Sequence, residues 1–176
     1  MRLFITATLA AMLASTASAQ EAKYVLTGDN TKITWTGTKV GGKHDGGFKN
    51  VGGVATMSAT TGLRLNVEID TGSLFADDPK LTAHLKSPDF FSVKDHPRAK
   101  FVSTKIDKTA SGFTVNGDLT LLGKTKAISF PAQITAGDTL GIQAAFTISR
   151  SDFGMNYGKG IVNDTVSLKV AVNARK

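Results

Sequence analysis

Apolar residues recur at every second position along most of this chain, which is the spacing of a β-strand with one buried face. Residues 63–70 (LRLNVEID) alternate strictly between aliphatic and polar side chains. Residues 165–172 (TVSLKVAV) repeat the pattern near the carboxyl end. Each run predicts a strand with one face toward the core and one toward water, and the second run predicts the closing strand.

Six further runs have the composition of strands, and clusters of Gly, Asn and Asp separate them. Their predicted ranges are 32–40, 48–58, 99–106, 113–121, 127–135 and 140–149. We interpret the glycine-rich residues 41–47 as a loop. The dipeptide Asn116-Gly117 favours a hairpin turn, but one period-two face continues through it, so we predict an unbroken strand with a bulge at Gly117. The prediction is therefore eight strands.

Residues 77–93 are the one stretch with a helical pattern, and proline follows a capping residue there at Asp78-Pro79 and again at Ser87-Pro88. Each pair predicts the start of a short helical turn. Short strands with one helical insert predict an all-β fold, either an antiparallel sandwich or a closed barrel. A barrel of about eight strands either fills its interior with side chains or holds one small ligand.

Residues 1–19 have the features of a cleavable secretory signal, with Arg2 before a short apolar core and the small-x-small pattern Ala17-Ser18-Ala19 at the end. The apolar core is shorter than the roughly 20 residues that a membrane-spanning helix needs. We therefore expect an exported protein whose mature chain, residues 20–176, is one domain. The chain contains no Cys, which excludes disulfides, lipoprotein acylation and thiol chemistry.

Basic residues outnumber acidic ones, but they are spread along the whole chain. There are 21 Lys and Arg against 14 Asp and Glu, a net charge of +7; without Arg2 it is about +6. Nucleic-acid-binding proteins usually gather their basic residues in one patch with aromatic residues between them. We therefore expect no nucleic-acid partner. The positive surface is explained by solvation, and a transient contact with anionic membrane surfaces stays open.

Motifs for nucleotide binding, metal binding and catalysis are incomplete in this sequence. Residues 117–125 end in Gly-Lys-Thr like a P-loop, but five residues separate the glycines where the motif needs four. His44, His84 and His96 lie at no recognised metal-ligand spacing. We therefore expect no catalytic residue, no metal and no cofactor.

Aromatic and aliphatic side chains are the remaining candidates for function, including ten Phe and one Trp. They either fill a solid core or line a cavity, and both interiors use the same alternating pattern. Arg150 ends an apolar strand, where a barrel mouth would lie. We favour an ion pair between Arg150 and Asp152 over a contact with a ligand.

Four segments, taken in order, resemble the YceI-like family. Trp35-Thr36-Gly37 and residues 42–48 (GKHDGGF) resemble its first hairpin. Its central signature is similar to residues 83–93 (AHLKSPDFFSV) with 96–104 (HPRAKFVST), and its later strands to 115–126 (VNGDLTLLGKTK) and 146–154 (FTISRSDFG). The resemblance implies an eight-stranded antiparallel lipocalin-like barrel with a short helical insert. It also implies an elongated pocket for a polyisoprenoid or another long amphiphilic chain. The periplasmic location that it implies agrees with the predicted signal, so we expect a periplasmic protein.

We expect the protein to bind, and to carry or store, a long-chain isoprenoid or other amphiphilic lipid without catalysing a reaction. The expected ligand-binding residues are His84 and the pocket residues Trp35, Phe48, Val67, Phe90, Phe91, Phe101, Phe146 and Phe153. A polar head group would lie at the mouth, near His44 or Arg150.

Two alternatives stay open. One is an enzyme or redox accessory that acts on an isoprenoid quinone-like ligand, with His84 as its titratable group. The other is a structural stress protein with a solid core. A homodimer stays open as well.

Overall fold

Eleven strands and one short helix make up residues 21–176, the part of the chain that the computed structural model describes. The predicted signal, residues 1–19, lies outside the described residues. The strands are β1 (Ala22–Thr27), β2 (Thr31–Lys39), β3 (Gly42–Phe48), β4 (Val51–Ser58), β5 (Gly62–Asp70), β6 (Leu74–Ala76), β7 (Arg98–Thr109), β8 (Gly112–Leu121), β9 (Lys124–Thr135), β10 (Thr139–Ser149) and β11 (Val162–Arg175). The helix is α1 (Pro79–Leu85), and 3-10 turns lie at Thr71–Ser73 and Arg150–Phe153.

The strands form one antiparallel sheet that curls into a barrel, in the order β1-β4-β5-β7-β8-β9-β10-β11-β2-β3-β6. The run from β7 to β11 consists of consecutive hairpins, and β11 then pairs with β2. Two further hydrogen bonds join residues that are far apart in the sequence, and the second of them extends the ladder between β2 and β11. Tyr24 Oη donates to the Gly137 carbonyl at 2.7 Å, and the Asn173 N–H donates to the Asn30 carbonyl at 2.8 Å.

The predicted all-β antiparallel barrel with a helical insert is confirmed, with eleven strands in place of eight. Each of the eight predicted ranges corresponds to one strand of the structure, although the range 48–58 begins at Phe48, the last residue of β3, before it covers β4. The additional strands are β1, β3 and β6. The pattern of β1 is broken because the apolar Val25 lies on its exposed face between buried Tyr24 and Leu26, and β6 has only three residues, too few for alternation to show.

The third additional strand, β3, covers the glycine-rich segment that we interpreted as a loop, and that interpretation is wrong. Gly46 lies opposite Trp35 of β2. A Cβ atom on Gly46 would lie 2.3 Å from Trp35 Cζ2 and 2.3 Å from the Phe75 carbonyl oxygen. Glycine here allows an indole ring and a neighbouring backbone to approach the strand closely, and no turn is involved.

Asn116 and Gly117 lie inside β8, so the prediction of an unbroken strand is confirmed. The irregularity lies on the partner strand, where the register shifts between Ser103 and Lys105 of β7, opposite these two residues. A Cβ atom on Gly117 would lie 2.5 Å from Phe101 Cζ. The glycine therefore makes room for an inward-facing ring, and the bulge that we placed at Gly117 belongs to β7.

The ladder between β9 and β10 is short. It joins residues 132–135 to residues 141–144, in four pairs, while β10 stays paired with β11 along its whole length. On the unpaired side, the rings of Phe130 and Phe146 stack with centroids 4.1 Å apart and planes 9° apart. An aromatic stack therefore fills the wall of the barrel where the two strands separate.

The helical insert covers one end of the barrel. Asp78 begins α1 by accepting a hydrogen bond from the Leu81 N–H at 2.7 Å, with Pro79 in the first turn, which is the start that the sequence predicts. The turns that follow place Phe91 edge-on against Phe48 of β3, with ring centroids 5.8 Å apart. Within residues 21–176, no helix has the length and apolar character needed to cross a bilayer.

Candidate functional site

Two apolar cavities and a groove follow one another from the barrel interior to its helical end. The inner cavity measures about 100 Å³, the middle cavity about 150 Å³ and the mouth groove about 380 Å³. The inner and middle cavities share the wall residues Ile33, Ile69, Leu119 and Leu168. The middle cavity and the mouth groove share Trp35, Gly37, Leu85, Phe90 and Val162. The three spaces therefore lie next to one another in a row, separated by shared walls.

The inner cavity contains three of the predicted pocket residues, Val67, Phe101 and Phe146. Phe130, which we did not select, completes an aromatic wall: its ring centroid lies 5.7 Å from that of Phe101 and 4.1 Å from that of Phe146. Among the side chains that line this cavity, the one with a polar atom is Thr31. Its Oγ1 donates to Asn30 at 2.9 Å, so this end of the series is apolar.

The middle cavity brings together five predicted residues from different elements: Trp35, Phe48, Phe90, Phe91 and Arg150. β2 and β3 supply the first two, the insert supplies the two adjacent phenylalanines, and the 3-10 turn after β10 supplies the arginine. The alternating faces of the strands explain why the aromatic residues of β2 and β3 point inward together.

Trp35, Arg150 and Asn163 are the lining residues of the middle cavity with polar side-chain atoms, but the surface that faces the cavity is almost entirely apolar. Trp35 Nε1 is buried without a hydrogen-bond partner, and it is the one such side-chain nitrogen or oxygen found in the described residues. Arg150 is buried, with 5% of its surface exposed. Its guanidinium donates to the backbone carbonyls of Asn163, Met155 and Val162 at 3.1, 2.8 and 3.0 Å.

The ion pair that we favoured between Arg150 and Asp152 is not present in the structure. Within residues 21–176, the guanidinium has no carboxylate at salt-bridge distance. The nearby carboxylate of Asp164 accepts hydrogen bonds from the Ser151 hydroxyl at 2.8 Å and N–H at 2.9 Å. These bonds, with a smaller contribution from the Arg150 charge, lower the pKa of Asp164 below its ordinary value. The partners of Arg150 are carbonyl oxygens because β10 ends next to the loop that leads back to β11.

The mouth groove carries both predicted histidines, His44 and His84. The His84 ring packs edge-on against Phe90 and Tyr157, with centroids 5.1 and 4.8 Å away. His84 Nε2 lies 2.8 Å from Asp89 Oδ2. Tyr157, which sequence reasoning missed, is 48% exposed and forms the outer edge of this aromatic cluster.

His44 pairs with a carboxylate at the other side of the groove. Its Nδ1 lies 2.9 Å from Asp77 Oδ1, and the Asp45 N–H donates to Asp77 Oδ2 at 3.1 Å. The Asp45 N–H chiefly, and His44 in addition, lower the pKa of Asp77. The groove therefore has a charged rim around an apolar floor.

A model of the YceI-like domain matches residues 24–174. This chain belongs to the YceI-like family. A UPF0312 protein of Pseudomonas putida is 31% identical to it over 98% of this chain and 96% of its own length.

Two solved structures have a fold similar to that of this chain. The crystal structure of Burkholderia cenocepacia BcnA superposes with a TM-score of 0.74 at 25% identity, covering 82% of this YceI-like chain and 96% of BcnA. A polyisoprenoid-binding domain from Saccharophagus degradans superposes with a TM-score of 0.67 at 13% identity. The superposition covers 89% of this chain and 99% of that domain. At that identity, the second likeness shows the fold alone.

One predicted pocket residue of this YceI-like chain does not line these spaces. Phe153 is 1% exposed and packs in the core next to Arg150, outside the lining of the three spaces. A larger depression of about 530 Å³ lies on the outer surface among exposed side chains such as Lys32, Gln133 and Lys169. It offers little apolar enclosure, so we assign the candidate site to the interior. Within the described residues, no group of three or more His, Asp and Glu is placed to hold a metal ion.

Proposed function

We propose that this YceI-like protein binds a long-chain isoprenoid or another amphiphilic lipid in the barrel interior, and that it carries or stores this ligand without chemical change. The observation that carries the proposal is the row of neighbouring apolar spaces from the mouth groove through the middle cavity to the inner cavity. Apolar spaces in a row suit an extended chain, once the side chains they share move aside.

Apolar burial supplies the driving force. Removing apolar surface from water is worth about 25 cal/mol per Å². A long isoprenoid offers several hundred Å², so the gross gain is on the order of 10 kcal/mol before binding entropy is subtracted. The YceI-like family and the polyisoprenoid-binding domain of the same fold support this class of ligand. No catalytic group is needed for such binding.

The distribution of polar groups supports one orientation of the ligand. The inner cavity is apolar, whereas the mouth groove carries the histidines and their carboxylate partners. The tail would therefore lie inside, with the head group toward α1. The alternative of catalysis would use His84, which lies at the rim and away from the two enclosed cavities, so nothing specific in the site favours it.

We also propose export to the periplasm, supported by the signal-like features of residues 1–19. Intact-mass measurement of the protein from its native host tests this proposal. A mass that corresponds to a chain beginning at Gln20 is expected. A full-length mass in the cell interior would contradict it.

Native mass spectrometry of the purified protein, followed by organic extraction, tests the lipid-binding proposal. A bound chain lipid near one per protein is expected. Apo protein alone, with no thermal shift on adding isoprenoids, would overturn the proposal and favour the solid-core alternative.

A blocking variant makes this test specific to the interior. Gly37 lies where the middle cavity meets the mouth groove, and a Cβ atom there would meet only Trp35 Cζ3 at 3.9 Å. We expect Gly37→Leu to fold and to lose most bound lipid. Gly52→Leu is the matched control, because Gly52 is a strand glycine outside the lining of the three spaces with no atom near its Cβ position. Equal lipid content in both variants would contradict an interior site.

A further inference from the structure

Two loops beside the mouth groove carry exposed aliphatic side chains. Val40 lies in the turn between β2 and β3 and is 75% exposed, and Ile161 comes just before β11 and is 61% exposed. No other large apolar side chain within residues 21–176 is as exposed as these two. The Val40 N–H donates to the Ile161 carbonyl at 3.0 Å. The two residues are therefore neighbours on one surface.

This apolar surface continues into the candidate site. Ile161 lines the mouth groove together with Tyr157, which is also exposed. A single exposed apolar side chain is common on proteins and needs no explanation. Here three of them lie together at the outer end of the row of apolar spaces, and a grouped apolar patch is typical of a surface that meets a protein or a membrane.

Two lysines flank the aliphatic pair. Lys39 precedes Val40 and lies opposite Val162 in the ladder between β2 and β11, and Lys159 forms an isolated β-bridge with the same Val162. Both lysines are exposed. Within residues 21–176, neither has a carboxylate at salt-bridge distance. Their positive charge is therefore available to an anionic partner.

The carboxylates around the mouth groove already have partners of their own. Asp77 and Asp89 each pair with one of the two histidines of the groove, and Asp45 pairs with Lys43. These contacts partly compensate the negative charge of the three carboxylates. The repulsion that they would exert on an anionic partner is therefore reduced.

An anionic bilayer fits the combination of aliphatic side chains and unpaired lysines. Its acyl chains lie beneath a layer of negative phosphate groups. A lysine side chain covers apolar surface with its methylene stem and keeps the ammonium in the polar layer, and basic residues are attracted to anionic head groups. A protein partner would satisfy the apolar patch but gives no reason for the two cations beside it.

We propose that Lys39, Val40, Lys159 and Ile161 form a docking surface for an anionic phospholipid bilayer. The two aliphatic side chains insert among the acyl chains, and the two lysines contact the phosphate groups. This inference goes beyond the proposed function, because it names a second partner and does not depend on which ligand the interior takes. Docking turns the mouth groove toward the bilayer, so that an amphiphile passes between membrane and protein with little exposure to water.

Flotation of the purified protein with phospholipid vesicles tests the docking surface. One set of vesicles contains phosphatidylcholine alone, and the other contains equal parts of phosphatidylcholine and phosphatidylglycerol. We expect the protein to bind the anionic vesicles about tenfold more tightly than the neutral ones at low salt. Because salt screens exposed charges, this preference should decrease as the salt concentration rises.

Two double variants separate the apolar from the electrostatic contribution. Val40→Ser with Ile161→Ser should weaken binding to the anionic vesicles about tenfold, because less apolar surface inserts. Lys39→Gln with Lys159→Gln should remove the preference for anionic over neutral vesicles.

Matched controls use exposed residues of the same types outside the mouth groove. Val25 and Lys23 are exposed on β1, and Val102 and Lys108 on β7. Val25→Ser with Val102→Ser, and Lys23→Gln with Lys108→Gln, should leave vesicle binding near that of the unmodified protein. Losses equal to those of the docking variants would attribute binding to total hydrophobicity and charge, and would overturn the proposal.

The absence of Cys from the sequence allows a local readout. A polarity-sensitive fluorophore attached to Val40→Cys should shift its emission to the blue when anionic vesicles are added, because its surroundings become apolar. The same fluorophore on Val25→Cys should not shift. Vesicle binding with an unmoved emission at position 40 would show that another face docks, and would overturn the proposal.

The outcomes also distinguish docking from lipid binding in the interior. Protein that floats with neither type of vesicle, but carries a chain lipid in native mass spectrometry, would overturn the docking surface and leave the proposed function intact. Vesicle binding by protein that takes up no chain lipid would support the docking surface and overturn the proposed function. A dimer that dissociates in Val40→Ser with Ile161→Ser, without vesicle binding by the unmodified protein, would overturn the proposal by assigning the surface to a second copy of this chain.

Discussion

Arg150 is a cation whose role in the fold can be tested separately from any ligand. Its hydrogen bonds are accepted by the backbone carbonyls of Met155 in the loop after β10 and of Val162 and Asn163 at the start of β11. Hydrogen bonds to a charged group contribute more than neutral ones, and losing this donor leaves several acceptors unpaired. We expect Arg150→Met to lower the free energy of unfolding by about 3 kcal/mol, measured by urea denaturation.

An exposed arginine provides the control. Arg98 faces solvent and lies 3.5 Å from Glu68, so Arg98→Met should change the free energy of unfolding by less than about 0.5 kcal/mol. If both variants change the free energy of unfolding by a similarly small amount, the hydrogen bonds from Arg150 to the backbone carbonyls do not stabilise the fold.

Asp77 gives the stability a dependence on acid pH. Its folded-state pKa is lowered, first by the Asp45 N–H and then by His44, from an ordinary value of 3.8. A lowered pKa means that the contribution of this carboxylate is fully present above its ordinary pKa and is lost as the pH falls through the folded-state value. We expect Asp77→Asn to lose less stability than the unmodified protein between about pH 6 and about pH 2. Urea midpoints across this range measure the difference, and parallel curves for the two proteins would contradict it.

The pairing of β2 with β3 depends on glycine at a defined position. A Cβ atom on Gly46 would meet the Trp35 ring and the Phe75 carbonyl, and one of these is backbone that cannot rotate away. Overpacking of this kind typically costs 1–3 kcal/mol. We expect Gly46→Ala to lower the free energy of unfolding by about 2 kcal/mol and to shift the emission of Trp35, measured by chemical denaturation and fluorescence.

Gly42 on the same strand is the matched control. No heavy atom lies within 4 Å of its ideal Cβ position. Gly42→Ala should therefore leave both stability and emission near their original values. A loss of stability in Gly42→Ala equal to that of Gly46→Ala would mean that strand propensity, and not contact with the indole, explains the effect.

The elements predicted from the sequence are those with long alternating runs. β5 and β11 follow the pattern of residues 63–70 and 165–172 directly. β3 was missed because glycine normally indicates a turn, and only the position of Trp35 across the sheet shows why a strand needs glycine there. Strand propensity is a property of single residues, whereas the need for glycine at position 46 arises from the Trp35 side chain on the neighbouring strand.

Across the whole molecule, alternation predicts which side chains point inward but not whether they fill the interior. Phe153 and Phe101 were both predicted to line a pocket, yet the first is packed in the core and the second lines the inner cavity. Phe130 lines the same cavity and was not selected. Whether an inward side chain fills the core or lines a cavity depends on how closely the opposite walls of the barrel pack. The sequence of a single strand contains no information about that distance.

The free volume also decreases with depth, from about 380 Å³ at the mouth groove to about 150 Å³ and then about 100 Å³. The deep end therefore limits the size of the group that it holds more strictly than the entrance does. Molecules with the same slender tail and different groups outside the mouth groove would bind to this protein equally well. The protein would then be specific for a class of chains with similar tails, and a cell could use it to bind several of them.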